Sequence, residues 1–485
     1  MNNKSETIIV VGVGPVPLGN PERVYATGLR LFAFSKHIRK AGFRVLMGEA
    51  SFEGGEAPCG DSGEIESGWE RRGLPLDPHS ASVIIGRWAR EEKPCAIVST
   101  TDVMNYAAAL LDTRVPRWMD FFGHPMAERQ ELSYVHESDE GLIEQWSYII
   151  PSLLTGDRFS ACSTPQKFAL TGELGAVGRL NRHNSGEDLV SVIKPGAVFH
   201  ESQPDETRVF RGKSVPEDAF CLLWNGGFNT WVDEGALFEG VCLAMKESEK
   251  IHFIITGGEI RGHDEKTFER FKERVKNSPF SSRFHFFGWV PLKRLPNFYN
   301  ESDAAINIDR FTYEAMLGVR NRLFSWMNYN LPVITTTLSE NTKNLALKGI
   351  AVGFSPGNAR ELAEGVLTIM RNPVEAREMA QKARKYLLEE CDYQKILAPL
   401  LEWLEHPRIA PDRRENVVRK FDFGGGFQIG IPENSLSFLH ARFAKEREAS
   451  RRQEERKTRV RKDPDDYRSS QAHRWMKRLK KLFGG

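Results

Sequence analysis

Asp303-Ala-Ala-Ile-Asn-Ile-Asp-Arg-Phe-Thr-Tyr-Glu-Ala-Met-Leu-Gly-Val-Arg-Asn-Arg-Leu-Phe-Ser-Trp-Met-Asn-Tyr-Asn-Leu-Pro-Val-Ile-Thr-Thr336 is the stretch whose reading decides the fold. Its apolar start, Ala304 to Ile308, ends in charge at Asp309 and Arg310. A helix-like run carrying Glu314, Arg320 and Arg322 follows, and then a β-branched strand from Pro332 to Thr336. This is a βαβ unit. Its carboxylate and guanidinium groups fall near the carboxyl end of parallel strands, where open α/β sheets take their ligands. Two arginines beside one glutamate suit a ligand with anionic phosphates at one end and hydroxyls at the other, as in a nucleotide-sugar.

Outward from this unit, apolar strand candidates alternate with amphipathic helix candidates, which predicts a parallel α/β architecture. One series comprises Ile8–Gly12, Arg44–Met47, Cys95–Ser99, Arg117–Phe121, Phe159–Ser163 and Val190–Ile193. A second comprises Cys221–Trp224, His252–Thr256, Arg283–Phe286, Ala304–Ile308, Val333–Thr336 and Ile350–Phe354. Pro195–Asp218 lies between them, rich in Pro, Gly and charge and without a period, and reads as the linker. The pattern predicts two Rossmann-like domains facing across a cleft, residues 1–200 and 201–380. Closing helices over 381–406, an irregular extension over 407–440 and a basic tail over 441–485 follow. Within 51–80 the Gly, Pro and acidic residues predict a surface loop at the cleft rim.

A chain of 485 residues exceeds a single hydrophobic core, in keeping with two domains. No apolar run approaches the roughly 20 residues that cross a bilayer, and Ile8–Gly14 is too short and glycine-broken for a signal peptide. The six cysteines are scattered without Cys-x-x-Cys pairs or histidines at zinc spacing, so they read as reduced core thiols of a cytoplasmic protein. The formal net charge of +2 conceals an asymmetry, since residues 441–485 carry 16 Lys/Arg against 7 Asp/Glu. An acidic body bears a basic tail.

The residue types that carry chemistry gather at strand ends. The first strand runs into Gly12-Val-Gly14-Pro-Val-Pro-Leu-Gly19. Pro15 and Pro17 bar immediate helix entry, so this is no dinucleotide fingerprint. It is either a tight turn or a loop in which Gly14 and Gly19 approach an acceptor. Asn225-Gly226-Gly227-Phe-Asn229 opens the second domain, and a similar loop, Thr256-Gly257-Gly258-Glu, follows the next strand. Paired glycines ahead of a helix let backbone N–H groups approach a diphosphate, while a plain turn with Asp233 as the cap is the structural reading. Trp118-Met-Asp120-Phe-Phe-Gly123-His124-Pro-Met-Ala-Glu128 places Asp, His and Glu just past a first-domain strand. Serine-hydrolase and zincin motifs are lacking.

In this order of elements the chain resembles the GT-B glycosyltransferases, and within them the retaining branch called family 4. The resemblance covers roughly residues 6–405 and is strongest where Asn225–Asp233, Phe287-Gly-Trp289 and Tyr313–Thr336 stand in the family's order. It implies a nucleotide-sugar donor on the C-terminal domain, a glycan or lipid-linked acceptor on the N-terminal domain, and retention of configuration. No metal and no other cofactor are implied. Bacterial surface polysaccharide is the expected product. In the family motif two glutamates eight positions apart contact the sugar and the ribose. Glu314 matches the first, whereas Arg322 occupies the second position. Arg320 and Arg322 are then expected to hold the diphosphate with Gly226, Gly227, Asn229, Gly257, Gly258 and Asp309. Glu314 would orient the sugar, with Asp120 and His124 across the cleft as its catalytic partners. A nucleotide-sugar 2-epimerase of the same fold and a non-catalytic GT-B scaffold are the alternatives.

The tail ends in His473-Arg-Trp-Met-Lys-Arg-Leu-Lys-Lys-Leu-Phe483, which on a helix puts Trp475, Leu479 and Leu482 on one face among Lys and Arg. Basic amphipathic helices of this kind lie on anionic membrane surfaces, so residues 471–485 are expected to hold the protein peripherally on the inner face of the membrane. No recognition fold for nucleic acid accompanies the charge.

Overall fold

In a computed structural model, residues 6–19, 21, 23–51, 63–196 and 207–414 are described, together with the backbone of 419–422 and 428–431. The expected tail over 441–485, including 471–485, lies outside them. The first sheet comprises β1 (Thr7–Val13), β2 (Arg44–Ala50), β3 (Gly63–Glu66), β4 (Trp69–Leu74), β5 (Ala96–Thr100), β6 (Arg117–Phe121), β7 (Arg158–Ala161) and β8 (Val190–Val192). Its order is β3-β4-β2-β1-β5-β6-β7-β8, and every pairing is parallel except β3 with β4. The second sheet is fully parallel: β9 (Phe220–Asn225), β10 (Ile251–Thr256), β11 (Phe284–Gly288), β12 (Ala304–Asn307), β13 (Val333–Thr336) and β14 (Val352–Phe354). Its order, β11-β10-β9-β12-β13-β14, reverses direction between β9 and β12. In such sheets the crevice beyond the strand ends at the reversal is where a ligand fits.

These strands form because their residues are β-branched and apolar without alternation, the signature of a sheet covered on both faces. Ile8, Ile9, Val10 and Val11 are all fully buried, and so are Phe253, Ile254 and Ile255. The stretch 51–80 departs from the expected surface loop. Its second half is the β3–β4 hairpin, with β4 parallel to β2 at the sheet edge. Its exposed face is charged, as suits an edge strand.

The run after β12 reads from sequence as a single helix, but the structure divides it. Tyr313–Leu317 and Asn321–Asn328 are separate helices, with Arg320 as the N-cap of the second. Gly318 is the break, because a Cβ there would stand 2.8 Å from the Glu314 carbonyl oxygen. Thr312 caps the first helix by accepting from the Ala315 N–H.

Past the second sheet, the helix Pro373–Glu390 packs on it through Ala383 and Leu387. The chain then crosses back. The helices Tyr393–Ile396 and Ala398–Glu405 insert Tyr393, Leu397, Leu400, Trp403 and Leu404 into the core beneath the first sheet, where Trp403 lies against Trp118 at a centroid distance of 5.6 Å. Beyond them, Asp412 makes a fully buried ion pair with Arg179, and the Ala410 N–H donates to Asp157 at 2.7 Å. In the separate unit that follows, Arg419–Asp422 pairs antiparallel with Gln428–Ile431.

Candidate active site

The two glycine loops of the second sheet meet as their glycines require. Gly226 and Gly257 both have positive φ, +106° and +95°, and a Cβ on Gly257 would stand 2.2 Å from the Gly226 carbonyl oxygen. Only glycine allows this approach. The loops are tied by Gly226 N–H to Thr256 O (3.0 Å) and Phe228 N–H to Gly258 O (2.9 Å). Asn229 is occupied within the protein, since its Oδ1 lies 2.9 Å from His263 Nε2.

Arg322 lies against this loop. Its Nη2 donates to Gly227 O at 3.3 Å, and its guanidinium stacks 4.2 Å over the Trp224 ring. Its Nη1 is buried without a hydrogen-bond partner. Burial pulls the guanidinium down to about 10, with Asp309 opposing and the like charge of Arg320 adding. A buried cation with a donor unspent has the chemistry to take an anion.

Arg320 does something else. Its Nε donates to Asp309 Oδ1 at 2.7 Å, and its two terminal nitrogens meet Glu314 Oε1 and Oε2 at 2.8 and 2.6 Å. The triad is buried, and its guanidinium lies 4.7 Å over Trp231. Burial works against the charge, but the two carboxylates hold Arg320 above its ordinary range. Asp309 also receives Asn307 Nδ2 at 2.9 Å. Arg320 is therefore spent on Asp309 and Glu314, while Arg322 lies against the glycine loop.

The N-terminal assignments change more. Asp120, expected beside the sugar, is fully buried in an ion pair. Arg30 grips it through Nε (2.9 Å) and Nη2 (2.7 Å), and Ser160 Oγ donates to it at 2.5 Å. Arg30 also donates to the Ile193 and Lys194 carbonyls, so the pair ties β6 to the end of β8. His124 caps the helix Pro125–His136: its Nδ1 accepts from Ala127 N–H at 3.2 Å and its Nε2 lies 3.3 Å from Glu173. His124 thus serves as a helix cap, with its other ring nitrogen facing Glu173. Gly14 passes Glu49 so closely that a Cβ would stand 2.1 Å from its Oε1, and Glu49 accepts from the Val16 N–H at 3.0 Å. Gly19 (φ +76°) has open space around it.

Sequence reasoning passed over Arg30, and it named Glu128 and Arg310 without giving either a role. Arg310 bridges the domains, with its Nη2 on Glu131 and on Thr230 O and its guanidinium 4.8 Å over Tyr134. Ser163 Oγ donates to Leu317 O, and Thr164 N–H to Glu340 at 3.0 Å. A lone charge within an apolar periodic run, as at Arg30 in Gly28-Leu-Arg-Leu-Phe-Ala-Phe34, was the available signal for a buried pair.

Residues 239–402 match the family model described as glycosyl transferase-like. No curated protein matches the chain in sequence. Among solved structures the chain is similar to sucrose-phosphate synthase from Thermosynechococcus elongatus, at 14% identity and a TM-score of 0.62 over 82% of this chain and 98% of that one. Anabaena HepE in complex with UDP and glucose shares 14% identity, with a TM-score of 0.57 over 82% and 99%. A glycosyltransferase from Rickettsia africae ESF-5 shares 15%, with a TM-score of 0.54 over 82% and 97%. The glycosyl transferase-like match lies in the C-terminal half, and the two-sheet fold is that of GT-B structures. Among the described residues no helix is long and apolar enough to cross a membrane.

Proposed function

We propose that the protein transfers a sugar from a nucleoside-diphosphate sugar to a glycan or lipid-linked acceptor, with retention of configuration, in surface polysaccharide assembly. One observation carries the donor reading: the unspent, buried Nη1 of Arg322 against the Gly226–Gly227 loop at the sheet's reversal point. The neighbour HepE holds UDP and glucose in the same fold. Negative charge growing on the leaving diphosphate would meet Arg322 and the loop's backbone, the preorganised donors such a transition state calls for. Glu314 keeps lone pairs beyond the two that Arg320 uses, and these would take sugar hydroxyls.

In this reading the chain needs no metal. The purified protein is expected to release UDP from a UDP-hexose in the presence of EDTA, and UDP at about 100 Kd should add about 2.7 kcal/mol of stability. Failure of every UDP-hexose tested, or loss of activity that Mn²⁺ restores, would count against it. Product NMR reads the anomeric outcome, and release without an acceptor separates a transferase from an inert scaffold. For residues 471–485 the reading is a membrane-surface anchor: the full chain should co-sediment with anionic vesicles at low salt, and the chain lacking them should not. Equal sedimentation would remove that role.

A further inference from the structure

Arg310 follows directly on Asp309, yet its side chain leaves the buried triad and crosses to the first domain. Its backbone N–H donates to Trp231 O at 2.7 Å and its Nη2 to Thr230 O at 2.7 Å, which pins it to the loop after β9. The same Nη2 meets Glu131 Oε2, and the guanidinium lies 4.8 Å over Tyr134; both partners stand on the helix Pro125–His136. That helix also packs against Tyr313–Leu317, the short helix that carries Glu314. At its C-terminal end Lys266 Nζ donates to Val135 O at 3.2 Å, and His136 Nε2 lies 3.0 Å from His263 O.

The bonds of this seam are polar. Among the described residues, neither apolar core of the second sheet includes a residue of this helix. A seam without a shared core fixes the spacing of two domains only through its specific contacts. The Arg310–Glu131 pair is the one ion pair among them that is largely buried, with Glu131 7% exposed. Burial pushes the Glu131 carboxyl up and Arg310 opposes that. Removing Arg310 therefore strands a carboxylate in the closed seam, and parting the domains to water is the relief.

We propose that Arg310 is a positioning residue for the transfer reaction: through Glu131 it sets the spacing between the helix Pro125–His136 and the Gly226–Gly227 loop. The inference rests on the donor reading above. Arg310 touches neither sugar nor phosphate in it. Adjacent residues past the end of β12 divide the work, since Asp309 holds Arg320 in the triad and Arg310 holds the first domain against it. A displacement of about 1 Å between reacting groups is enough to cost about 100-fold in rate.

The test joins turnover to small-angle X-ray scattering on the full chain. Arg310→Ala and Glu131→Ala should each lower kcat for UDP release from a UDP-hexose by about 100-fold. Both should keep the wild-type Kd for UDP, which also reports a folded second domain, and both should raise the radius of gyration without nucleotide. Because each removes the same contact, the double variant should lose no more than either single one. Arg310→Lys, which keeps the charge, should recover part of the rate. A wild-type rate in either alanine variant would overturn the proposal, and so would losses that add in the double variant. A UDP Kd weakened in step with kcat would overturn it too, by making Arg310 a phosphate ligand. Should the wild-type chain itself neither bind nor release UDP, the donor reading fails instead. The scattering still decides the seam in that case, since an unchanged radius of gyration in both variants overturns the positioning role.

Discussion

Arg320→Ala is expected to cost the ligand-free protein about 3–5 kcal/mol, because it strands Asp309 and Glu314 as buried carboxylates without their cation. Denaturant or thermal melts of wild type and variant measure the loss. The sign of its pH dependence follows from the same change. Without Arg320, the carboxyls are harder to ionise in the folded state than in the unfolded chain. Stability is then lost as pH rises above the unfolded carboxyl pKa, and the deficit should narrow as pH falls toward that range. Arg320→Lys keeps the charge but not the fork that meets Glu314 on two oxygens, and should recover only part of the loss. An alanine variant as stable as wild type, but inactive, would mean that Arg320 serves a ligand and not the fold.

Two residues on, the expected effect reverses. Arg322→Ala should weaken UDP binding by about 10- to 100-fold, the worth of a charge-assisted hydrogen bond of ~1.5–3 kcal/mol. The empty protein should melt no lower than wild type, since a buried cation short of one partner has been removed. Calorimetric titration with UDP checks the first statement and a melt checks the second. Unchanged UDP affinity would remove Arg322 from the phosphate site, and with it the observation on which the donor reading stands. The contrast comes from partners: Arg320 has two carboxylates within 3 Å, and Arg322 has a carbonyl at 3.3 Å and an aromatic face.

The strands were legible because both faces of each sheet are covered, which turns them into continuous apolar runs. Arg117–Phe121 and Val333–Thr336 run over the same residues in the sequence reading and in the structure. The β3–β4 hairpin was hidden for the opposite reason. Glu64, Glu66, Glu70, Arg71 and Arg72 lie at an edge, where charge is tolerated and the apolar signal vanishes. The site was legible by residue type and only partly by role. Asp120 stands near the end of an apolar strand as a catalytic acid would, but its partner Arg30 lies 90 positions away and no local pattern joins them. Glu314, Arg320 and Arg322 were singled out together, yet spacing alone does not say which arginine closes on the glutamate. The break at Gly318 decides it, by turning Arg320 back toward the first helix.

The return of the chain's end to the first sheet sets a schedule for synthesis. Tyr393, Leu397, Leu400, Trp403 and Leu404 complete a core whose other members end at Ile193. Some 200 residues must therefore leave the ribosome before that core can close, about 10–40 s at ordinary elongation rates. During that interval Trp118 and its neighbours wait with one side uncovered, while the core of the second sheet, contiguous in the chain, closes with Cys391 just before them. The N-terminal half, although translated first, is the last to be finished. A nascent chain halted before Tyr393 presents an apolar face for chaperones to hold.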